Sequence, residues 1–135
     1  MTMQEILTIN VNLTDIYEVK GKSAEAVMIN FGGDAKSEFF EGVILPGGVD
    51  TQKEFYPERR TLSARYILEG KDMEGEKCRI FIENNGTADE NKFVHETTPR
   101  IITDSKALSW METATLKGTL EPKEGGVIIH IFRVD

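Results

Sequence analysis

Apolar and polar residues alternate with a period of two through almost the whole chain, a pattern that belongs to β-strands and leaves little room for helix. The clearest run is Thr61 to Glu69, where Leu62, Ala64, Tyr66 and Leu68 alternate against Ser63 and Arg65. The same period predicts strands over Glu5–Leu13, Ala24–Phe31, Glu38–Leu45, Val49–Tyr56, Cys78–Asn84, Thr97–Thr103, Trp110–Leu120 and Val127–Val134. Between them, Thr14 to Ser23 reads as a turn-rich link, Gly32-Gly33-Asp34 as a turn and Pro57-Glu58-Arg59-Arg60 as a tight connection. Pro46-Gly47-Gly48 reads as a sharp corner, because proline fixes φ and glycine admits angles that a Cβ forbids. Asn85-Gly86 ends its strand, Thr87 to Glu96 is a long polar loop and a candidate lid, and Asp104 to Leu108 carries a turn or two of helix. Pro99 marks its strand as an edge or an end.

Many short strands at close spacing make a sandwich or a barrel. The short links suit a meander, and closure hides strand edges, so the expected fold is all-β: a closed or nearly closed antiparallel β-barrel of eight to ten strands with at most one short helix. The 135 residues form one domain, 1–135, with enough chain for a single core.

Sixteen Lys and Arg scattered among twenty-three Asp and Glu, net charge −7, leave no basic stripe to track phosphates, so nucleic acid is not an expected partner. No apolar run has the roughly 18 residues that span a bilayer, and the N-terminus lacks the pattern of a signal peptide, so the expected location is cytoplasmic, with no membrane partner. Cys78 stands alone, in alternation with Ile80 and Ile82, and reads as a buried thiol. His95 and His130 cannot hold a metal by themselves; His95 reads as a solvated loop residue or a lid-borne acid or base, and His130 as a buried, satisfied one. No phosphate loop, nucleophile elbow or zinc-protease helix is present, and neither metal nor cofactor is expected.

Strand pairing assigns residues to faces. A two-residue turn at Glu58-Arg59 would set Gln52 opposite Arg65 and Asp50 opposite Ile67, and the next loop would set Thr61 opposite Asn84. One face then carries Asp50, Gln52, Ser63, Arg65, Ile67, Cys78, Ile80, Ile82 and Asn84; the other carries Val49, Phe55, Leu62, Ala64, Tyr66 and Leu68 together with Lys53, Arg79 and Glu83. Two readings stay open. Either the first face lines a barrel interior and aims Asp50, Arg65 and Asn84 at a ligand, or it faces water and Leu62, Ala64, Tyr66 and Leu68 of the second face are the buried ones.

Five stretches in order, Leu45-Pro46-Gly47-Gly48-Val49-Asp50, Ala64-Arg65-Tyr66-Ile67-Leu68, Ile80-Phe81-Ile82-Glu83-Asn84-Asn85-Gly86, Thr98-Pro99-Arg100 and Trp110-Met111, resemble the family known as domain of unknown function 3237, found in bacteria and fungi. The resemblance runs from about Glu41 to the C-terminus. It implies a small, often self-associating β-barrel, and it carries the family's polar positions onto Asp50, Arg65 and Asn84 and its aromatic anchor onto Trp110. Thr51, Glu58-Arg59 and Glu112 depart from the pattern.

Three functions follow as expectations. The first is a barrel that binds a small apolar or aromatic metabolite through Asp50, Arg65, Asn84 and Trp110. The second is a cofactor-independent lyase, isomerase or cyclase, with Asp50 as general base and Arg65 or Asn84 stabilising an oxyanion. The third is a non-catalytic interaction protein with a packed barrel. A homodimer is expected in each case.

Overall fold

The computed structural model describes residues 2–135, in which nine strands form one antiparallel sheet that closes on itself. They are β1 (Met3–Lys20), β2 (Ala24–Lys36), β3 (Phe40–Ile44), β4 (Val49–Phe55), β5 (Thr61–Asp72), β6 (Lys77–Thr87), β7 (Thr97–Thr103), β8 (Leu116–Lys123) and β9 (Gly126–Val134), with one 3-10 turn at Ser109–Glu112. Consecutive strands pair, except β3 with β4, and β1 pairs with both β2 and β9, so an up-and-down meander closes into the expected barrel. No helix among the described residues is long and apolar enough to cross a membrane.

Nine strands occupy eight positions, because β3 and β4 share one. Both lie antiparallel between β2 and β5: β3 pairs with Asp34–Lys36 and Leu68–Asp72, and β4 pairs with Ala24–Asn30 and Thr61–Arg65. Leu45-Pro46-Gly47-Gly48 is therefore an outward bulge within one line of the wall, not a corner between neighbouring strands. Gly47 takes φ 109°, which a side chain would resist, and Pro46 has no N–H for the ladder, so pairing lapses and resumes.

The opening hairpin is longer than the sequence predicts. β1 runs through Thr14–Lys20 and β2 through Gly32-Gly33, both of which read as turns. Gly33 serves close approach instead: a Cβ there would stand 1.8 Å from the carbonyl oxygen of Asn10 on β1. β6 likewise continues through Asn85-Gly86, and the predicted strand from Trp110 starts only at Leu116. Pro99 stands where β7 is paired on one side: β6 pairs with it over Thr97–Thr103, and its other side meets β8 only at the single pair Thr97–Gly118.

The two face assignments are resolved by register. Asp50 lies opposite Ala64, three residues short of the predicted Ile67, because the chain reverses around Tyr56-Pro57, with Glu58 N–H donating to Phe55 C=O, and not at Glu58-Arg59. Ala64 in turn lies opposite Asn84. There β5 extends to Asp72 before a turn in which Gly75 N–H donates to Asp72 C=O. Each displacement is odd and turns β5 over, so its inner residues are Leu62, Ala64, Tyr66 and Leu68; two odd displacements restore β6, whose Ile80, Ile82 and Asn84 also point inward.

The interior is densely filled at one end. Ile6, Leu7, Leu68, Ile80, Leu108 and Ile131 are fully buried there, Phe40 and Met111 nearly so, and Leu108 and Met111 come from the segment around the 3-10 turn that stoppers the barrel. Each such side chain contributes roughly 1.5–3 kcal/mol by leaving water. Cys78 is buried and unpaired, as expected.

Candidate functional site

The other end of the barrel is hollow. A cavity of about 60 Å³ lies among Val11, Phe31, Leu62, Ala64, Leu120 and Ile129, with Asp50 and Asn84 in its wall. Register explains their convergence: Asp50 on β4, Ala64 on β5 and Asn84 on β6 stand side by side on the inner face, and Pro99 on β7 continues the row. Beyond it opens a wider mouth of about 580 Å³, roofed by Phe93, Val94 and His95 of the 88–96 loop, with Gln52, Arg60 and Lys92 on its walls. Leu62, Leu120 and Val127 line both spaces and form the collar between them.

Polar groups at this end are strung in a line. Asp50 Oδ2 accepts from Gln52 Nε2 at 2.8 Å, and Gln52 Oε1 accepts from Arg60 Nε at 2.9 Å. The amide of Gln52 is thus held between a carboxylate and a guanidinium, which fixes its orientation. Arg60 also stands 3.6 Å from Glu25 and from Glu54, which face each other across β2 and β4 and would repel without it.

Several polar atoms are left over. Asp50 Oδ1, Asn84 Oδ1, Glu54 Oε1 and the hydroxyl groups of Ser63, Tyr66 and Thr97 are buried with no hydrogen-bond partner among the described residues. A buried polar atom without a partner is costly, and native proteins keep few of them. Burial pushes the Asp50 carboxyl above the usual range, against the opposing pull of the Gln52 hydrogen bond and the Arg60 charge. Room near Asn84 depends on Gly118, where a Cβ would lie 2.2 Å from Thr97 Oγ1 and 3.5 Å from Asn84 Oδ1.

Two of the residues singled out from the sequence therefore meet, and two do not. Arg65 points outward, exposed, and pairs with Glu83 at 3.0 Å, a consequence of the inverted face of β5. Trp110 sits on the 3-10 turn at the packed end, edge-on to Phe39 at 5.3 Å, with the Arg133 guanidinium 5.1 Å from its ring centroid; it lines neither the cavity nor the mouth. Gln52 and Arg60 take the place expected of Arg65. Gln52 shares the strand parity of Asp50 and was legible as a neighbour; Arg60, beyond the turn, had no periodicity to reveal it.

His95 is exposed on the loop and hydrogen-bonded to Asp89 at 2.7 Å, whose other oxygen accepts the backbone N–H groups of Asn91 and Phe93. His130 lies on the outer wall, only partly buried, between Glu5 at 2.9 Å and Glu121 at 2.8 Å, and those hydrogen bonds raise its pKa. No cluster suited to a metal ion occurs among the described residues.

The sequence model of the family described as "Protein of unknown function (DUF3237)" matches residues 1–96, so the likeness begins well before Glu41. No curated protein matches the chain. Among solved structures, a protein of unknown function from Clostridium acetobutylicum is similar at 23% identity and TM-score 0.83, covering 100% of both chains. A beta-barrel like protein from Acinetobacter baumannii follows at 18% identity and TM-score 0.80, covering 99% of this chain and 96% of that one. A structure described as an enzyme from Penicillium herquei is similar at 13% identity and TM-score 0.76, over 99% of this chain and 94% of that one. At such identities the likeness is one of fold.

Proposed function

The chain belongs to this family of proteins of unknown function, and from that premise and the hollow end of its barrel we propose that it binds a small apolar or aromatic molecule bearing a hydroxyl group. The observation that carries the reading is the pair of partnerless oxygens, Asp50 Oδ1 and Asn84 Oδ1, in an otherwise apolar cavity. Both accept hydrogen bonds and neither donates, so the complementary group is a donor. A cavity of about 60 Å³ takes a hydroxyl and the edge of a ring, well short of the roughly 150 Å³ that holds a whole benzene. The body of the ligand then fills the mouth, whose 580 Å³ is the size of ordinary ligand sites.

Methyl NMR shifts test this directly. Titrating para-ethylphenol is expected to move the Leu62, Leu120 and Val127 signals at concentrations where ethylbenzene moves none. Equal response to both compounds, or none to either, would remove the reading.

A second reading is catalytic. Asp50, with one oxygen free and its pKa raised by burial, has the attributes of a general base, and a protein of similar fold is described as an enzyme. Asp50→Asn separates the two readings: turnover would vanish while binding of a hydroxylated ligand persists. Self-association is part of the same proposal. Ile67, Phe81 and Ile102 align across the outer wall between the ion pairs Arg65–Glu83 and Arg79–Glu69, and a second copy would cover that row. Gel filtration of wild type against Phe81→Glu tests it; a monomer in both would discard it.

A further inference from the structure

We propose that the molecule taken by this barrel is an anion, a hydroxylated aromatic or apolar carboxylate whose acidic end is held at the mouth by Arg60. The inference rests on the reading above, since it presumes that a hydroxyl occupies the inner cavity, and it adds the chemistry of the other end.

The two ends of the site have opposite hydrogen-bonding character. The inner cavity offers acceptors, Asp50 Oδ1 and Asn84 Oδ1, which would repel a carboxylate. The mouth offers donors: Arg60 and Lys92 line it beside His95, which is held by Asp89, and no Asp or Glu lines it, in a chain with twenty-three acids against sixteen Lys and Arg. A ligand with a hydroxyl at one end and a carboxylate at the other therefore fits in one direction only.

Arg60 is the group placed to read the acid. Its side chain donates from Nε to Gln52 and pairs through Nη1 with Glu25 and Glu54, which leaves Nη2 without a partner among the described residues. Glu25 and Glu54 are ion-paired to Nη1 at 3.6 Å, and Lys92 is ion-paired to Glu54 at 3.9 Å. Two acids and two cations balance around the rim, so selection comes from which groups face the opening, and those are the cations. The Arg60 side chain is only 21% exposed, and a partly desolvated guanidinium binds carboxylate more strongly than a solvated one. Its position is set from inside: the Asp50–Gln52–Arg60 line ties the cation to the carboxylate that would receive the hydroxyl, so both ends of a ligand meet one connected frame.

Calorimetry with three probes tests the proposal. Wild type is expected to bind para-hydroxyphenylpropanoate about tenfold or more tightly than para-ethylphenol, which has the same phenol and no acid. Arg60→Gln is expected to bring the ratio of the two affinities close to one, and Arg60→Lys to keep part of it, since an ammonium retains the charge without the fork. The methyl ester of the same acid, measured on wild type, gives the answer even where Arg60→Gln fails to fold, and it is expected to bind like para-ethylphenol. Equal affinities for acid, ester and ethylphenol, or a ratio that survives Arg60→Gln, would overturn the anion and leave the phenol pocket standing. Failure of para-ethylphenol and the acid alike would overturn the pocket itself.

Discussion

Two aspartates, one at each end of the barrel, face opposite fates. At the packed end Asp72 is buried, and its carboxylate accepts from the Ser105 hydroxyl at 2.8 Å and from the backbone N–H groups of Glu74 and Glu76. Ser105 chiefly, and then those backbone groups, hold its pKa below the usual range. At the hollow end Asp50 has one side-chain donor, an oxygen without a partner and a pKa raised by burial. The same residue type has both carboxylate oxygens answered at the packed end and one of the two left open at the hollow end. That difference, more than cavity size, separates the ends.

The largest effect that would sharpen the contrast is in packing. Leu68→Ala, in the fully buried layer, is expected to cost about 2–5 kcal/mol in urea denaturation. Leu62→Ala, on the collar beside existing space, is expected to cost less than half as much, because fewer contacts are lost. Equal losses would break the distinction between a filled end and a hollow one.

Next come the aspartates, whose pH dependences have opposite signs. The lowered pKa of Asp72 gives stability that is complete above its ordinary 3.8 and is lost as pH falls through the lowered value. The raised pKa of Asp50 works the other way: the folded state holds the proton more tightly than the unfolded one, so stability declines as pH rises from 3.8 through the raised value. Melting curves at neutral pH are expected to show Asp72→Asn destabilised by several degrees and Asp50→Asn unchanged or raised. Toward pH 3 both differences should shrink.

Smaller still is Asn84→Leu. Replacing a buried amide whose oxygen is unmatched with an apolar side chain beside free space is expected to gain about 1 kcal/mol while abolishing the preference for a phenol over ethylbenzene. Loss of stability without loss of preference would make Asn84 a structural residue.

The barrel was legible because alternation survives errors of boundary: β1 runs on to Lys20 and β2 to Lys36, well past the expected Leu13 and Phe31, and the period of each was still read. Register was not legible, because it hangs on where a turn reverses. Moving the reversal from Glu58-Arg59 to Tyr56-Pro57 expelled Arg65 from the interior, while a second odd displacement at Asp72–Gly75 returned Asn84 to it. Asp50 and Asn84 were placed together through two errors that cancel. The hydrophobic demand of Leu62, Ala64, Tyr66 and Leu68 carried the true answer for β5. Trp110 misled for another reason: an aromatic rim residue looks the same in sequence whichever rim it closes.

The most direct test is a carbon-13 NMR titration of the side-chain carboxyls, with and without para-ethylphenol. Asp50 is expected to titrate above 3.8 and Asp72 below it, and saturating para-ethylphenol should lower the Asp50 midpoint, since a hydroxyl donated to the carboxylate favours its charged form, while Asp72 stays where it was. An Asp50 that titrates as a solvated carboxyl and ignores the phenol would contradict the assignment of the hollow end as a binding site.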